Sequence, residues 1–236
     1  LEEADAVASL SSARVVGTLK INVPVSFGLL HLAPLWGRFM AAHPHVQLDV
    51  TLSDRTVDLI EEGVDVAVRI AQLPSTNLIA RKLAPARLVT CAAPAYLERH
   101  GVPQTPADLA GHHILGYAYW SARNEWSFHD ASGSLHKVTV QHAFVANNGD
   151  TLRATALSGA GIILQPTFIV GEDIAAGRLV PLLTDYTSAE LGIYALYPSR
   201  KHLSAKVRAL VDFLVQAFEG TPVWDRFDLP PLQNPK

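Results

Sequence analysis

The sequence predicts an α/β fold built on a largely parallel sheet, and three observations lead there. Between Leu19 and Ile70, runs with a two-residue apolar period and runs with helical spacing take turns in β-α-β-α-β order. The alternation resumes after Leu88, and a further helix–strand unit runs from Gly149 to Leu164. With 236 residues, 49% of them hydrophobic and 17% charged, the chain is globular and can bury one large core or two small ones.

Each element has its own signal. Leu1 to Arg14 (LEEADAVASLSSAR) puts Leu1, Ala4, Val7, Ala8 and Leu10 at helical spacing, and reads either as the end of an amphipathic helix or as a frayed terminus. Gly17 interrupts it, and Leu19–Val23 alternates as a strand. Ser26–Ala42 keeps Leu29, Leu32, Leu35, Trp36 and Phe39 on one helical face until Pro44. Val46–Leu52 is the next strand, Asp54–Glu62 a short helix ended by Gly63, and Val64–Ile70 a third strand. This order requires right-handed crossovers. Leu88–Ala92 follows as a strand and Pro94–His100 as a helix. Two polar-rich strands, Glu125–His129 and Leu135–Phe144, flank a hairpin turn at Asp130–Gly133. The last helix is His202–Phe218, with Val207, Leu210, Val211 and Leu214 on one side, and the Pro-rich tail after Gly220 is loose.

Composition excludes several functions. Lys and Arg total 19 against 22 Asp and Glu, a formal charge of −3. The densest basic stretches, Arg81–Arg87 and Arg200–Arg208, are spaced like solvated faces, so the chain does not grip nucleic acid by itself. Ser158-Gly159-Ala160-Gly161 approaches a nucleophile elbow but has Ala156 where glycine is needed. Gly159 and Gly161 lack the third glycine of a dinucleotide fingerprint. His43/His45 and His112/His113 do not have metal-ligand spacing. The reading therefore expects no catalytic residue, no metal and no cofactor. Cys91 stands alone, which rules out an internal disulfide and favours a reducing cytoplasm. No apolar run is long enough to span a bilayer, and none reads as a secretory signal, so no membrane partner is expected.

The positive signal is a set of strand-to-helix junctions rich in small polar residues: Pro24-Val25-Ser26-Phe27-Gly28, Ser53-Asp54-Arg55-Thr56 and Ala146-Asn147-Asn148-Gly149-Asp150-Thr151. In an open parallel sheet such junctions share the carboxyl edge, where ligands bind. Helix starts there offer unpaired N–H groups, which suit a small carboxylate. The same side chains also serve as plain N-caps through Ser26, Asp54 and Asn148.

These motifs carry a resemblance. GTLKINVP (Gly17 to Pro24), the run from Leu29 to Ile70, LIARKLAPARLVTCAAPAYL (Leu78 to Leu97) and NNGDTLRATALSGAGIILQPTFIV (Asn147 to Val170) follow one another as in LysR-type transcription regulators. GRLVPLL (Gly177 to Leu183) and ALYPSRKHLSAKVRALVDFL (Ala195 to Leu214) continue the series. DLIEEGVDVAVR resembles the CrgA-like branch of that family.

The resemblance implies a type 2 periplasmic-binding-protein-like fold: two αβ subdomains joined by two crossing strands, near Leu88–Ala92 and Tyr194–Pro198. Subdomain I would be residues 16–90 plus 197–220 and subdomain II residues 91–196, with the end of a linker helix at 1–15 and a C-terminal tail at 221–236. A small-molecule effector would sit in the cleft, bounded by Ser26, Phe27, Ser53, Asn147, Asn148 and Gly149, and by Arg69, Gln165 and Pro166. Ser26 and Ser53 would donate to an anion, Phe27 would form an apolar wall, and Asn148 with its helix start would hold a carboxylate. Arg69 would alternatively form an ion pair with acidic residues around Asp65. The resemblance further implies self-association as a dimer or tetramer, and contact with DNA only through an N-terminal helix-turn-helix absent from this sequence. The alternative on the same fold is an extracytoplasmic solute-binding protein of a transporter.

Overall fold

The computed structural model describes residues 15–55, 58–72, 77–120, 124–198 and 203–225. The expected helix end at Leu1–Arg14 lies outside the described residues, as does the expected loose tail beyond Asp225. The first part of that tail is not loose, since Val223–Asp225 form a 3-10 turn that buries Trp224 in the core.

The first sheet grows from β1 (Gly17–Val23), which runs parallel to β2 (Val46–Leu52) from Gly17 opposite Val46 to Val23 opposite Leu52. Parallel neighbours need a crossover. A helical segment, α1, supplies it, made of Val25–Phe27, a π-turn at Gly28–Leu32 and Ala33–Ala42. Pro34 has no N–H to offer the carbonyl four residues back, and the helix widens just before it. β3 (Val66–Ala71) pairs with the other edge of β1. β12 (Leu191–Tyr197) then lies antiparallel between β3 and β4 (Ile79–Ala86), giving the order β2-β1-β3-β12-β4. Helix α5 (Ala205–Ala217) starts at Ser204, whose side chain accepts from the Val207 amide. It buries Val207, Leu210, Val211 and Leu214, the face its spacing predicts.

In the second sheet, β5 (Leu88–Ala92) lies between antiparallel β10 (Ile163–Pro166) and β11 (Val180–Leu182). β6 (Ile114–Tyr117) pairs in parallel with β9 (His142–Ala146). A bridge from Ile114 to Ile162 draws that pair alongside β10. Gly161 makes the approach feasible, since a Cβ there would fall 2.4 Å from the His113 carbonyl oxygen. Helices α2 (Pro94–His100), α3 (Gly149–Leu157) and α4 (Thr167–Ala175) flank these strands. β7 (Glu125–His129) and β8 (Leu135–Thr139) form the expected hairpin, its turn closed by the Asp130 carboxylate accepting from the amides of Ser132 and Ser134.

Four expectations change. Asp54–Glu62 contains no described helix: Asp58 accepts from the amides of Ile60 and Glu61 and closes a turn that ends at Gly63. The expected strand Leu135–Phe144 is two strands in different sheets, β8 and β9. The final helix begins at Ala205, and His202 lies outside the described residues. Leu88–Ala92 does not cross between sheets, because both its edges are bonded inside the second, and Tyr194–Tyr197 is bonded wholly within the first. The chain instead passes across at Arg87 and returns between Leu182 and Leu191.

The largest apolar cluster is continuous across the two sheets, from Leu19, Ile21 and Val66 through Phe27 and Phe168 to Leu115, Leu152 and Ile163. A second cluster, with Tyr96, Leu109, Trp126 and Ile162, belongs to the second sheet and its hairpin.

Candidate functional site

Two helix starts meet where the sheets face each other. Ser26, in the first turn of α1, is buried, and its hydroxyl donates to the Asp150 carboxylate at 2.7 Å across 124 residues of sequence. Asp150 is in the first turn of α3, where a negative charge suits the helix dipole. Gly149 lies in the same knot. A Cβ on it would come 3.3 Å from Ser26 Oγ, 3.1 Å from Gln165 Oε1 and 2.5 Å from Ile169 Cδ1, so only glycine fits without displacing one of them.

Asn148 caps α3. Its Oδ1 accepts from the Thr151 amide at 2.9 Å and the Thr151 hydroxyl at 3.1 Å. The Asn148 side chain lies near enough to the Asp54 carboxyl to lower it. Asp54 in turn accepts from the Val25 amide at 3.0 Å, at the start of α1. Burial raises Asp54 above the usual carboxylate range, more than these neighbours lower it, and the nearby Asp150 charge adds to the rise. Tyr117 is raised by its own burial and then by the charges of Asp54 and Tyr119.

Arg69 is the basic group of the site. Its Nη1 donates to the Val68 carbonyl at 2.8 Å, while Nη2 is buried with no hydrogen-bond partner. Burial lowers it, opposed by the charges of Asp54 and Glu62. The Asp65 carboxylate is already engaged, by Lys206 Nζ at 2.8 Å and by the Lys20 amide at 3.1 Å.

The structure thus brings together Ser26, Asn148, Gly149 and Gln165, and sets Arg69 within the field of Asp54. It places others elsewhere. The Phe27 ring is fully buried against Phe168, Phe218, Trp224 and His31, with centroids 5.3 to 5.6 Å apart. Ser53 turns its hydroxyl to the Arg55 amide at 3.2 Å. Asn147 is exposed, and Pro166 is half-buried at the start of α4. Asp54 and Asp150 both lie in the polar junctions, where the sequence reads Asp54 as a cap and gives Asp150 no role. His31 was not anticipated. The π-turn carries it to the second sheet, where Nε2 donates to the Phe168 carbonyl at 2.9 Å, and burial holds its imidazole below the ordinary value.

Among the described residues no group of three His, Cys, Asp or Glu side chains could hold a metal ion. No described helix is long and apolar enough to cross a membrane.

Residues 12–219 match the family model described as the LysR substrate binding domain. The chain is 38% identical over 201 residues to the HTH-type transcriptional regulator CrgA of Neisseria meningitidis serogroup B, covering 85% of this chain and 67% of that protein. It is 35% identical over 218 residues to the HTH-type transcriptional regulator DmlR of Escherichia coli, covering 89% and 68%. Among solved structures, the CrgA regulatory domain from Neisseria meningitidis is similar with a TM-score of 0.75 at 37% identity, over 86% of this chain and 99% of that one. The full-length virulence activator AphB of Vibrio cholerae gives a TM-score of 0.75 at 26% identity, over 92% and 74%.

Proposed function

This chain belongs to the LysR substrate binding domain family, the effector-binding domain of LysR-type transcription regulators rather than an enzyme family, and we propose that it binds a small metabolite between its two sheets. The carrying observation is the meeting of two helix starts, Ser26 of α1 against Gly149 and Asp150 of α3. The two lobes of this proposal are the sheets with their flanking helices, close to the division 16–90 plus 197–220 and 91–196, with Leu191–Leu196 moved to the first by its pairing.

The effector is a small anion, and the donors it uses are already occupied by the protein's own carboxylates. Ser26 Oγ serves Asp150, and the Val25 amide serves Asp54. An entering anion takes over these donors and separates Ser26 from Asp150. The liganded and unliganded poses therefore differ in direct contacts, which any ligand-driven shift requires. The raised Asp54 eases this exchange, because taking up a proton there relieves repulsion from the incoming charge. Binding is accordingly tighter as the pH falls. The change of pose alters the spacing of DNA-reading heads on a helix-turn-helix portion of the regulator, within a dimer or tetramer in the cytoplasm.

Titrating metabolic carboxylates against the melting temperature tests this. A binder at a hundred times its Kd adds about 2.7 kcal/mol of stability. The paired change Ser26→Leu with Asn148→Leu removes that rise, although loss of the cap itself lowers the baseline by about 1 kcal/mol. An undiminished response in the double variant places the site elsewhere.

A further inference from the structure

Tyr117 is the last residue of β6 and lies opposite Ala146 in the parallel register with β9. Just beyond, the Ala118 amide donates to the Ala146 carbonyl. Asn147, Asn148 and Gly149 follow Ala146 directly, so the register sets Tyr117 beside the start of α3. Its half-buried ring packs on the apolar cluster that runs between the sheets. Tyr119 meets that ring edge-on, with centroids 5.8 Å apart and planes at 86°. The Tyr117 hydroxyl bonds no group among the described residues. Burial raises it, and the charge of Asp54, which follows β2 in the other sheet, adds to the rise. A half-buried hydroxyl without a partner has given up part of its hydration and gained no bond in return. The side chain is not sealed in, so a molecule entering between the sheets can supply the missing partner.

We infer that Tyr117 is a specificity-determining residue for the effector, its hydroxyl bonding a neutral oxygen, hydroxyl or keto, carried by a small carboxylic acid. This rests on the anion site proposed above and adds the class of its ligand. The carboxylate lies at Ser26 and the start of α3, and the second oxygen reaches the strand alongside. A second carboxylate in its place would meet the charges of Asp54 and Asp150, which already act on each other. Arg69, the basic group nearby, is within the fields of Asp54 and Glu62. A neutral oxygen avoids that repulsion and still accepts from the phenol. A plain hydrocarbon tail leaves the hydroxyl unpaired, and sites built to bond a ligand oxygen reject the analogue that lacks it for this reason.

Titration of the 15N-labelled chain with 2-hydroxypentanoate, 4-oxopentanoate and pentanoate tests the assignment. The amides of Val25, Ser26 and Gly149 shift saturably with all three acids. At least one oxygen-bearing acid binds more tightly than pentanoate, by roughly threefold to tenfold, the range of one neutral hydrogen bond. Tyr117→Phe keeps the ring and its packing and removes only the oxygen, and it brings the three acids to equal affinity. A purely structural role for the ring would leave the preference in place. Oxygen-bearing acids no tighter than pentanoate in the parent, or a preference that survives in Tyr117→Phe, would overturn the role of Tyr117 while the anion site stands. No shift at Val25, Ser26 and Gly149 with any of the three would overturn both.

Discussion

Phe27→Ala lowers the stability of the chain by about 3–5 kcal/mol, the range for deleting a buried aromatic ring and leaving its cavity. The ring is fully buried and touches four others at once: Phe168 edge-on at 5.3 Å, Trp224 edge-on at 5.6 Å, Phe218 at 5.5 Å and His31 at 5.3 Å. These partners come from α4, a 3-10 turn at Val223–Asp225, the end of α5 and the π-turn of α1. The site cannot collapse when the ring goes, because each wall belongs to a different element. A loss of this size is a large part of the 5–15 kcal/mol typical of a whole domain. Urea unfolding should show a lower midpoint with the slope preserved. Phe27→Leu keeps most of the volume and costs less, about 1.5 kcal/mol or under. An alanine variant within 1 kcal/mol of the parent, by the same measure, would mean that the aromatic cluster does not join the lobes.

Asp173→Ala costs about 2–4 kcal/mol at neutral pH, somewhat below the usual figure for breaking a buried ion pair, because both partner arginines reach solvent. The Asp173 side chain is 0% exposed, and its carboxylate accepts from Nε of Arg153 and from Nε of Arg178 at 2.6 Å. The arginine side chains are 30% and 54% exposed. Through them α3, α4 and the turn at Gly177 are tied to one acid, whose backbone carbonyl also accepts from the amides of Arg178 and Leu179. Burial pushes Asp173 upward, but the two guanidinium bonds outweigh it and hold the carboxyl below its ordinary value. A depressed folded value means that the stabilisation is complete above the unfolded carboxylate value, near about 3.9. It is lost as the pH falls through the folded value. The gap between parent and Asp173→Ala should therefore be full at neutral pH and narrow on acidification below about pH 4. A gap independent of pH would remove the ion pair from the account.

The elements legible in the sequence are those with one wet and one dry face. β1, α1, β2 and α5 show that contrast and were read within a few residues. β4 was not, because Ile79 to Lys82 is exposed at four successive positions and shows no alternation. α4 was missed for the opposite reason: Thr167 to Gly171 is buried throughout, so no helical stripe stands out. Asp58 illustrates a third failure, a side chain that satisfies two amides locally and so ends a segment patterned like a helix.

The candidate site follows the same logic. Ser26, Asn148 and Gly149 are legible because strand-to-helix junctions gather on one edge of a parallel sheet, whereas Gln165 comes only from the family resemblance. The role of Asp150 as acceptor from Ser26 was not, since its sequence position marks only the first turn of a helix. Phe27 was expected as a wall of the cleft. Its burial depends on Phe168, Phe218 and Trp224, distant partners that no local pattern identifies.

The most direct test is crystallographic: grow the chain with the carboxylate that raises its melting temperature most, and locate that molecule. Density bonded to Ser26 Oγ and the Asn148 amide, with Asp150 drawn off Ser26, is what a metabolite clasped between the sheets requires. Density only elsewhere, with Ser26 and Asp150 still bonded, would contradict it.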